Sequence, residues 1–281
     1  MTRAGHRPDP FTERTPRVAA ARRLVRRVGR ERAGRFLAEG VQAVDEAMAW
    51  AEAGRGRVHE LFVTESAAAR NEDLLGRAAG LRIRVSVITD RAAAGLSETV
   101  TPQGIVAVCD LVDAPLDAAL AARPALVAVL VNVADPGNAG TVIRVADAAG
   151  AGAVLLAGDT VDPHNGKCVR ATTGSLFHLP LARSRDVSAV LDACVAAGLR
   201  LVAADPHAGT DLDTALRTGG LDGPVAWVFG SEAHGIDPSV AATLPAAVRV
   251  PIYGGAESLN LATAAAVCLY TTARAQRASA P

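Results

Sequence analysis

Five runs of continuous apolar residues divide the second half of the chain: ALVAVLVNV (125–133), GAVLLAG (152–158), LRLVAAD (199–205), PVAWVFG (224–230) and VRVPI (248–252). None alternates apolar with polar, as a strand with one wet face does. Strands buried on both faces look this way, so the pattern predicts a mainly parallel sheet with helices on both sides. Helical segments lie between the runs, which fits a doubly wound α/β domain over 125–281.

The first half alternates too, in shorter units. RFLAE, VHELFVT, IRVSVIT and QGIVAVCDLVD read as strands, with QAVDEAMAWAEAG and AAARNEDLLGRAAG as helices between them. Thr15 to Gly34 reads as one amphipathic basic helix, with Thr15 as N-cap and Pro16 at its first position. The reading is therefore a basic extension and small α/β domain over 1–113, an alanine-rich linker over 114–124, and the larger domain after it. Aromatics make up only 3% of the 281 residues, so the cores must be aliphatic.

Formal net charge is zero, but the head of the chain is basic. Arg3, Arg7, Arg14, Arg17 and the pairs Arg22–Arg23 and Arg26–Arg27 face few acids there. Such a head on a neutral body points to an anionic partner, nucleic acid first, although a solvated tail is the plainer alternative. Cys109, Cys168, Cys194 and Cys268 show no paired spacing and read as reduced and buried. His164 and Cys168 stand four apart, but a lone pair is weak and no metal is expected. No apolar run reaches the ~18 residues of a membrane span, and no apolar segment follows the arginine-rich start, so a cytoplasmic, non-membrane protein is expected.

Ligands of open parallel sheets bind beyond the carboxyl ends of the strands. Three glycine-bearing loops follow strands there: ADPGNAGTVIR, SEAHGID and YGGAESLNLATAAA. They carry Asn138, Arg144, Glu232, Ser258 and Asn260. The dinucleotide and P-loop glycine patterns are absent, which disfavours the usual nicotinamide or nucleotide enzymes. Taken singly, each residue has a modest alternative. Asn138 caps a helix for about 1 kcal/mol. Arg144 pairs with Asp147 one turn on, Ser258 caps the last helix, and Glu232 is an exposed loop acid. Their convergence at three strand ends argues for a site.

NVADPGNAGTVIRVADAAGA, VFGSEAHGI and VPIYGGAESLNLATAAAVCLY resemble, in order and spacing, the three signature motifs of the SpoU/TrmH family of RNA ribose 2′-O-methyltransferases, within the SPOUT superfamily. FLAEGVQAVDEAM, ELFVT and VTPQGIVAV are similar to the family's substrate-binding domain, which resembles a ribosomal-protein-like fold. The resemblance implies a trefoil knot, which general chain topology would not suggest. It also implies a homodimer formed around the knot and S-adenosylmethionine (AdoMet) as cofactor. Carried over by motif, cofactor contacts fall at Gly230, Val250, Ile252, Ser258 and Leu259. Catalytic roles fall to Arg144, Asn138, Glu232, Ser258 and Asn260, with Arg144 assisting deprotonation of the ribose 2′-hydroxyl.

Arginine is a poor base, so orientation of the target phosphate and stabilisation of the developing alkoxide suit Arg144 better. The implied substrate is RNA, ribosomal in preference to transfer RNA. A self-resistance role against a ribosome-targeting antibiotic stays open, because some family members of this layout serve it. A silent RNA-binding protein on the same scaffold and a small-molecule α/β enzyme are the competing readings. Arg22, Arg23, Arg26 and Arg27 are expected to extend the RNA footprint, so that deleting 1–30 weakens binding and flattens its salt dependence.

Overall fold

The structure, a computed structural model, describes residues 9–278; Arg3 and Arg7 of the basic head lie outside them. The chain divides into two compact units, 1–111 with 164–170, and 112–163 with 171–281.

The first unit carries a four-stranded sheet of β1 (Arg35–Glu39), β2 (Val58–Thr64), β3 (Arg84–Ile88) and β4 (Ile105–Asp110), in spatial order β1-β4-β2-β3. β4 is antiparallel to both neighbours, and β2 and β3 are parallel. Helix Val41–Glu52 follows β1 through Gly40, as its alanine-rich apolar periodicity predicts. The segment 164–170 belongs to this unit: the His164 ring lies 4.8 Å from that of Phe36, and Arg170 pairs with Glu39 at 3.0 Å.

The basic helix expected over Thr15–Gly34 is not continuous. It forms helix Pro16–Arg22, a 3-10 turn Arg23–Val25 and helix Arg27–Ala33. Arg26 breaks it with an extended backbone (φ −95°, ψ 140°). The buried Arg30 guanidinium donates to the carbonyls of Leu24 and Val25 across the break, satisfying groups that a continuous helix would have paired itself. Gly29 permits the tight reversal, since a Cβ there would overlap the Arg23 carbonyl. Thr15 occupies the N-cap position, but its hydroxyl accepts from the Thr12 amide and caps nothing.

Val18, Ala21 and Leu24 join Phe62, Ile88 and Leu96 in the core of this unit, so the basic segment is structural on one side. Arg22, Arg23, Arg26 and Arg27 are exposed on the other. The helix expected over AAARNEDLLGRAAG is also two, Glu65–Arg70 and Glu72–Gly80. They part at Asn71, whose side-chain amide donates back to the Ala67 carbonyl.

The second unit holds seven strands: β5 (Leu126–Val131), β6 (Ala153–Ala157), β7 (Leu181–Ser184), β8 (Arg200–Ala204), β9 (Thr210–Asp211), β10 (Val225–Phe229) and β11 (Ala247–Arg249). Their order is β7-β6-β5-β10-β8-β11-β9 and every pairing is parallel. Every residue of β5, β6 and β10 is buried, as continuous apolar runs require.

One face of the sheet packs Val127, Val129, Leu155 and Val228 with Val190, Leu191 and Cys194 of helix Val187–Ala196. Helices Pro136–Ala149 and Leu261–Ala278 pack on each other and on the sheet. The Trp227 indole N–H reaches the buried Thr272 hydroxyl at 2.8 Å. The expected linker 114–124 contains helix Leu116–Leu120, whose Ala119 and Leu120 are buried in this core. The VRVPI strand is shorter than expected, because Pro251 has no N–H to continue a ladder. Among the described residues no helix is long and apolar enough to cross a membrane.

Candidate active site

The spatial order of the large sheet sets β5 beside β10, although the facing positions Leu130 and Phe229 stand 99 residues apart in the chain; the pair lies at the point where the chain's winding reverses. The loops leaving the two carboxyl ends are therefore neighbours, where a doubly wound sheet keeps its ligand crevice.

The β5 loop is tightly held. Thr160 donates its buried hydroxyl to the carbonyls of Leu130 and Ala157 and accepts from the Val133 amide. Helix Pro136–Ala149 then starts with Asp135 as N-cap, its carboxylate accepting from the Asn138 amide at 2.8 Å, and with Pro136 in the first turn. Gly150 closes it in the left-handed region at φ 79°. The capping role open to Asn138 in the sequence thus falls to Asp135, and the Asn138 side chain is left for other partners.

Those partners come from both other loops. Asn138 Nδ2 donates to Glu232 Oε1 at 2.9 Å, and Asn138 Oδ1 accepts from Asn260 Nδ2 at 3.0 Å. A carboxylate only accepts, so Glu232 dictates which end of the Asn138 amide faces it. Glu232 also accepts from the amides of Ala134 and Asp135, each at 3.1 Å. Partial burial pushes its carboxyl up, but the donors from Asn138 and from backbone amides outweigh this and hold it below the usual carboxylate range. Asn260 Oδ1 in turn caps helix Leu261–Ala278, accepting from Ala262 at 2.9 Å and Thr263 at 3.3 Å. The capping alternative open to Ser258 therefore falls to Asn260. Three loops from three strand ends are joined through one side chain, Asn138.

Gly230 opens the β10 loop. A Cβ there would overlap the backbone of Gly235 and Ile236, because the loop turns back on itself through paired amides of Ser231 and Gly235, each bond 2.9 Å. The close approach that requires glycine is between two parts of this chain. Val250 is half-buried, whereas Ile252, Ser258 and Leu259 are exposed, in a segment that forms neither helix nor strand.

Arg144 lies six residues beyond Asn138 on the same helix, about 9 Å along its axis. It is exposed and does not pair with Asp147, which binds His178. Instead its Nη1 donates to the Thr173 hydroxyl at 3.1 Å. Among the described residues, neither Ser258 nor Arg144 makes a side-chain hydrogen bond to the Asn138–Glu232–Asn260 group.

Sequence reasoning missed Asp135, Thr160 and Thr173. Asp135 was legible, since Asp-Pro ahead of a helix is an N-cap signal. Thr160 and Thr173 carry no local signature.

Residues 125–270 match the model of the SpoU rRNA methylase family, and 37–115 match that of the RNA 2′-O ribose methyltransferase substrate-binding domain. The 23S rRNA (guanosine(2553)-2′-O)-methyltransferase RlmP of Bacillus subtilis is 32% identical over 86% of this chain and 89% of its own. An AdoMet-bound rRNA methyltransferase from Sinorhizobium meliloti superposes with a TM-score of 0.79 at 30% identity, covering 95% of this chain and 97% of its own. The SpoU methyltransferase AviRb of Streptomyces viridochromogenes, in complex with AdoMet, gives 0.79 and 30% over 95% of this chain and 100% of its own. With both halves matched in order and the motif residues gathered at one end of the sheet, the chain belongs to the SpoU family of RNA 2′-O-methyltransferases.

Proposed function

We propose that this AdoMet-dependent RNA 2′-O-methyltransferase acts on large-subunit ribosomal RNA. The observation that carries the site is the joining of the loops after β5, β10 and β11 through Asn138, Glu232 and Asn260, with Arg144 projecting from the same helix. The preference for ribosomal RNA is supported by the match to a substrate-binding domain and by the likeness to an enzyme named for 23S rRNA.

AdoMet, when bound, supplies an electrophilic methyl group. The segment 250–259, exposed from Ile252 onward, offers backbone groups outside any helix or strand, together with the apolar side chains of Ile252 and Leu259. These suit a ligand with a flat base and a polar tail. Gly230, Val250, Ile252, Ser258 and Leu259 would hold it.

On the RNA side, Arg144 orients the target phosphate and stabilises the 2′-oxygen as its proton leaves. AdoMet would supply the methyl group to the 2′-oxygen, and the hydroxyl proton passes to a phosphate oxygen, since the Arg144 guanidinium has donors and no acceptor. Glu232 fixes the start of the Arg144 helix through its two backbone contacts, and Asn138 and Asn260 lock the loops around it. Exposed Arg22, Arg23, Arg26 and Arg27 extend the footprint on RNA. A knotted fold, a homodimer and a cytoplasmic location complete the proposal.

The test is transfer of labelled methyl from AdoMet to separated large rRNA, small rRNA and tRNA, followed by alkaline hydrolysis, for wild type and Arg144→Ala. Label is expected in large rRNA as an alkali-resistant dinucleotide. Arg144→Ala is expected to bind AdoMet and lose at least about a hundredfold in turnover, as removal of an electrostatic stabiliser does. Label in tRNA alone would move the substrate. AdoMet binding with no label in any RNA, naked or in ribosomal particles, would mark a silent binding protein.

A further inference from the structure

The single hydrogen bond of the Arg144 guanidinium among the described residues is the one to Thr173 Oγ1. An exposed arginine samples many rotamers, and fixing one costs side-chain entropy. A partner that holds it must itself be rigid. Thr173 is held in an uncommon way. Its backbone lies in the left-handed region at φ 51°, where a β-branched residue is strained, and Gly174 follows at φ 97°. Glycine or asparagine would adopt that conformation at less cost, but neither would set a hydroxyl beside Arg144.

The turn is fastened a second time. His178 Nδ1 lies 2.7 Å from Asp147 Oδ2, and Asp147 sits three residues after Arg144 on the same helix, hence on a neighbouring part of its surface. Between the two fastenings, Ser175, Leu176 and Phe177 are buried. The turn 173–178 is thus pinned to the Arg144 helix at both ends and anchored in the middle.

We infer that Thr173 is a positioning residue for Arg144, and that the strained 173–178 turn is retained because it sets the guanidinium in one place before RNA arrives. This rests on the reading of Arg144 as the catalytic arginine. Strain of this kind persists where surrounding structure over-determines it, and it clusters at functional sites.

The experiment compares kcat, KM for RNA, KM for AdoMet and the thermal midpoint of Thr173→Val, Thr173→Ser, Thr173→Gly and Arg144→Ala with wild type. Thr173→Val keeps the shape and removes the hydroxyl. Its kcat is expected to fall about ten- to a hundredfold, the scale of a misplaced catalytic group, with KM for AdoMet and the thermal midpoint unchanged. Thr173→Ser should return kcat to within about threefold of wild type, since it keeps the hydroxyl. Thr173→Gly should lose kcat as valine does while its midpoint holds or rises, because the strain goes with the side chain. Wild-type kcat in Thr173→Val beside an inactive Arg144→Ala would overturn the inference alone. So would losses that follow the midpoint across the series. Wild-type turnover in Arg144→Ala would instead overturn the catalytic reading and this inference with it.

Discussion

Glu232 is exposed by surface and integrated by hydrogen bonding, with two backbone amides and the Asn138 side chain as donors. Its carboxyl is held below the usual carboxylate range, so its contribution to stability is full at neutral pH. That contribution is lost as pH falls through the depressed folded value, when the unfolded chain has already taken up its proton. Glu232→Gln turns an amide N–H₂ toward one of the donors. At pH 7 it is expected to cost about 1 kcal/mol, the low end for an unsatisfied contact at an exposed site. Scanning thermal midpoints from neutral to acid pH checks this: the gap between wild type and Glu232→Gln should close as pH drops below the carboxylate range. A gap that stays constant would show that the charge is not what Glu232 contributes. The sequence placed Glu232 in the right loop, because polar residues beyond strand ends stand out against apolar runs. It did not reveal the partners at 134 and 135, because backbone amides leave no trace in residue types. A capping alternative stayed open for Asn138 beside its site role, while the residue that caps, Asp135, passed unremarked.

At the scale of elements, periodicity found what was long and apolar and misjudged what was short or bent. β5, β6 and β10 were legible as unbroken runs, whereas β7 and β9, with four and two residues, offered too little pattern. The N-terminal segment shows a different failure. Its arginines and spaced valines fit one helix, yet burying Val18, Ala21 and Leu24 against the small sheet needs a reversal at Arg26 that no propensity scale anticipates. That reversal changes the test of RNA binding. Deleting 1–30 would remove core residues and the ion pair of Arg17 with Glu60, so lost binding would report lost folding. Replacing Arg22, Arg23, Arg26 and Arg27 by glutamine touches only exposed groups. Each phosphate contact contributes about 0.7–0.9 to the slope of log K against log salt. The fourfold variant is therefore expected to bind RNA at least about tenfold more weakly near physiological salt, with the slope shallower by about 3, at an unchanged thermal midpoint. An unchanged slope would place the footprint elsewhere.

For the whole molecule, the proposal of a homodimer makes a demand on the outer surface of helix Leu261–Ala278. Its inner side, Ala262, Ala265, Cys268, Leu269 and Thr272, is buried within the second unit. Its outer side exposes Val267 at 36% and Tyr270 at 45%, three positions apart and so adjacent on the helix. Tyr253, 87% exposed in the loop before the helix, adds a large aromatic ring to the solvent-facing apolar groups of this unit. The small residues of LNLATAAAVCLYTTA suit a helix made for close approach. Within the chain that approach is spent on Trp227 and the helix Pro136–Ala149, so a partner copy must meet the larger residues instead. Burying what remains exposed of the valine and the tyrosine on each of two copies yields about 1 kcal/mol per side chain, and a charge inserted there would have to be desolvated in the interface. Wild type is expected to run at twice the monomer mass by light scattering at micromolar concentration. Val267→Glu with Tyr270→Glu should shift it to the monomer with little change in far-ultraviolet circular dichroism, since both side chains already face solvent in the single chain. A double variant that stays dimeric would move the interface off this helix, and a monomeric wild type would remove the dimer from the proposal.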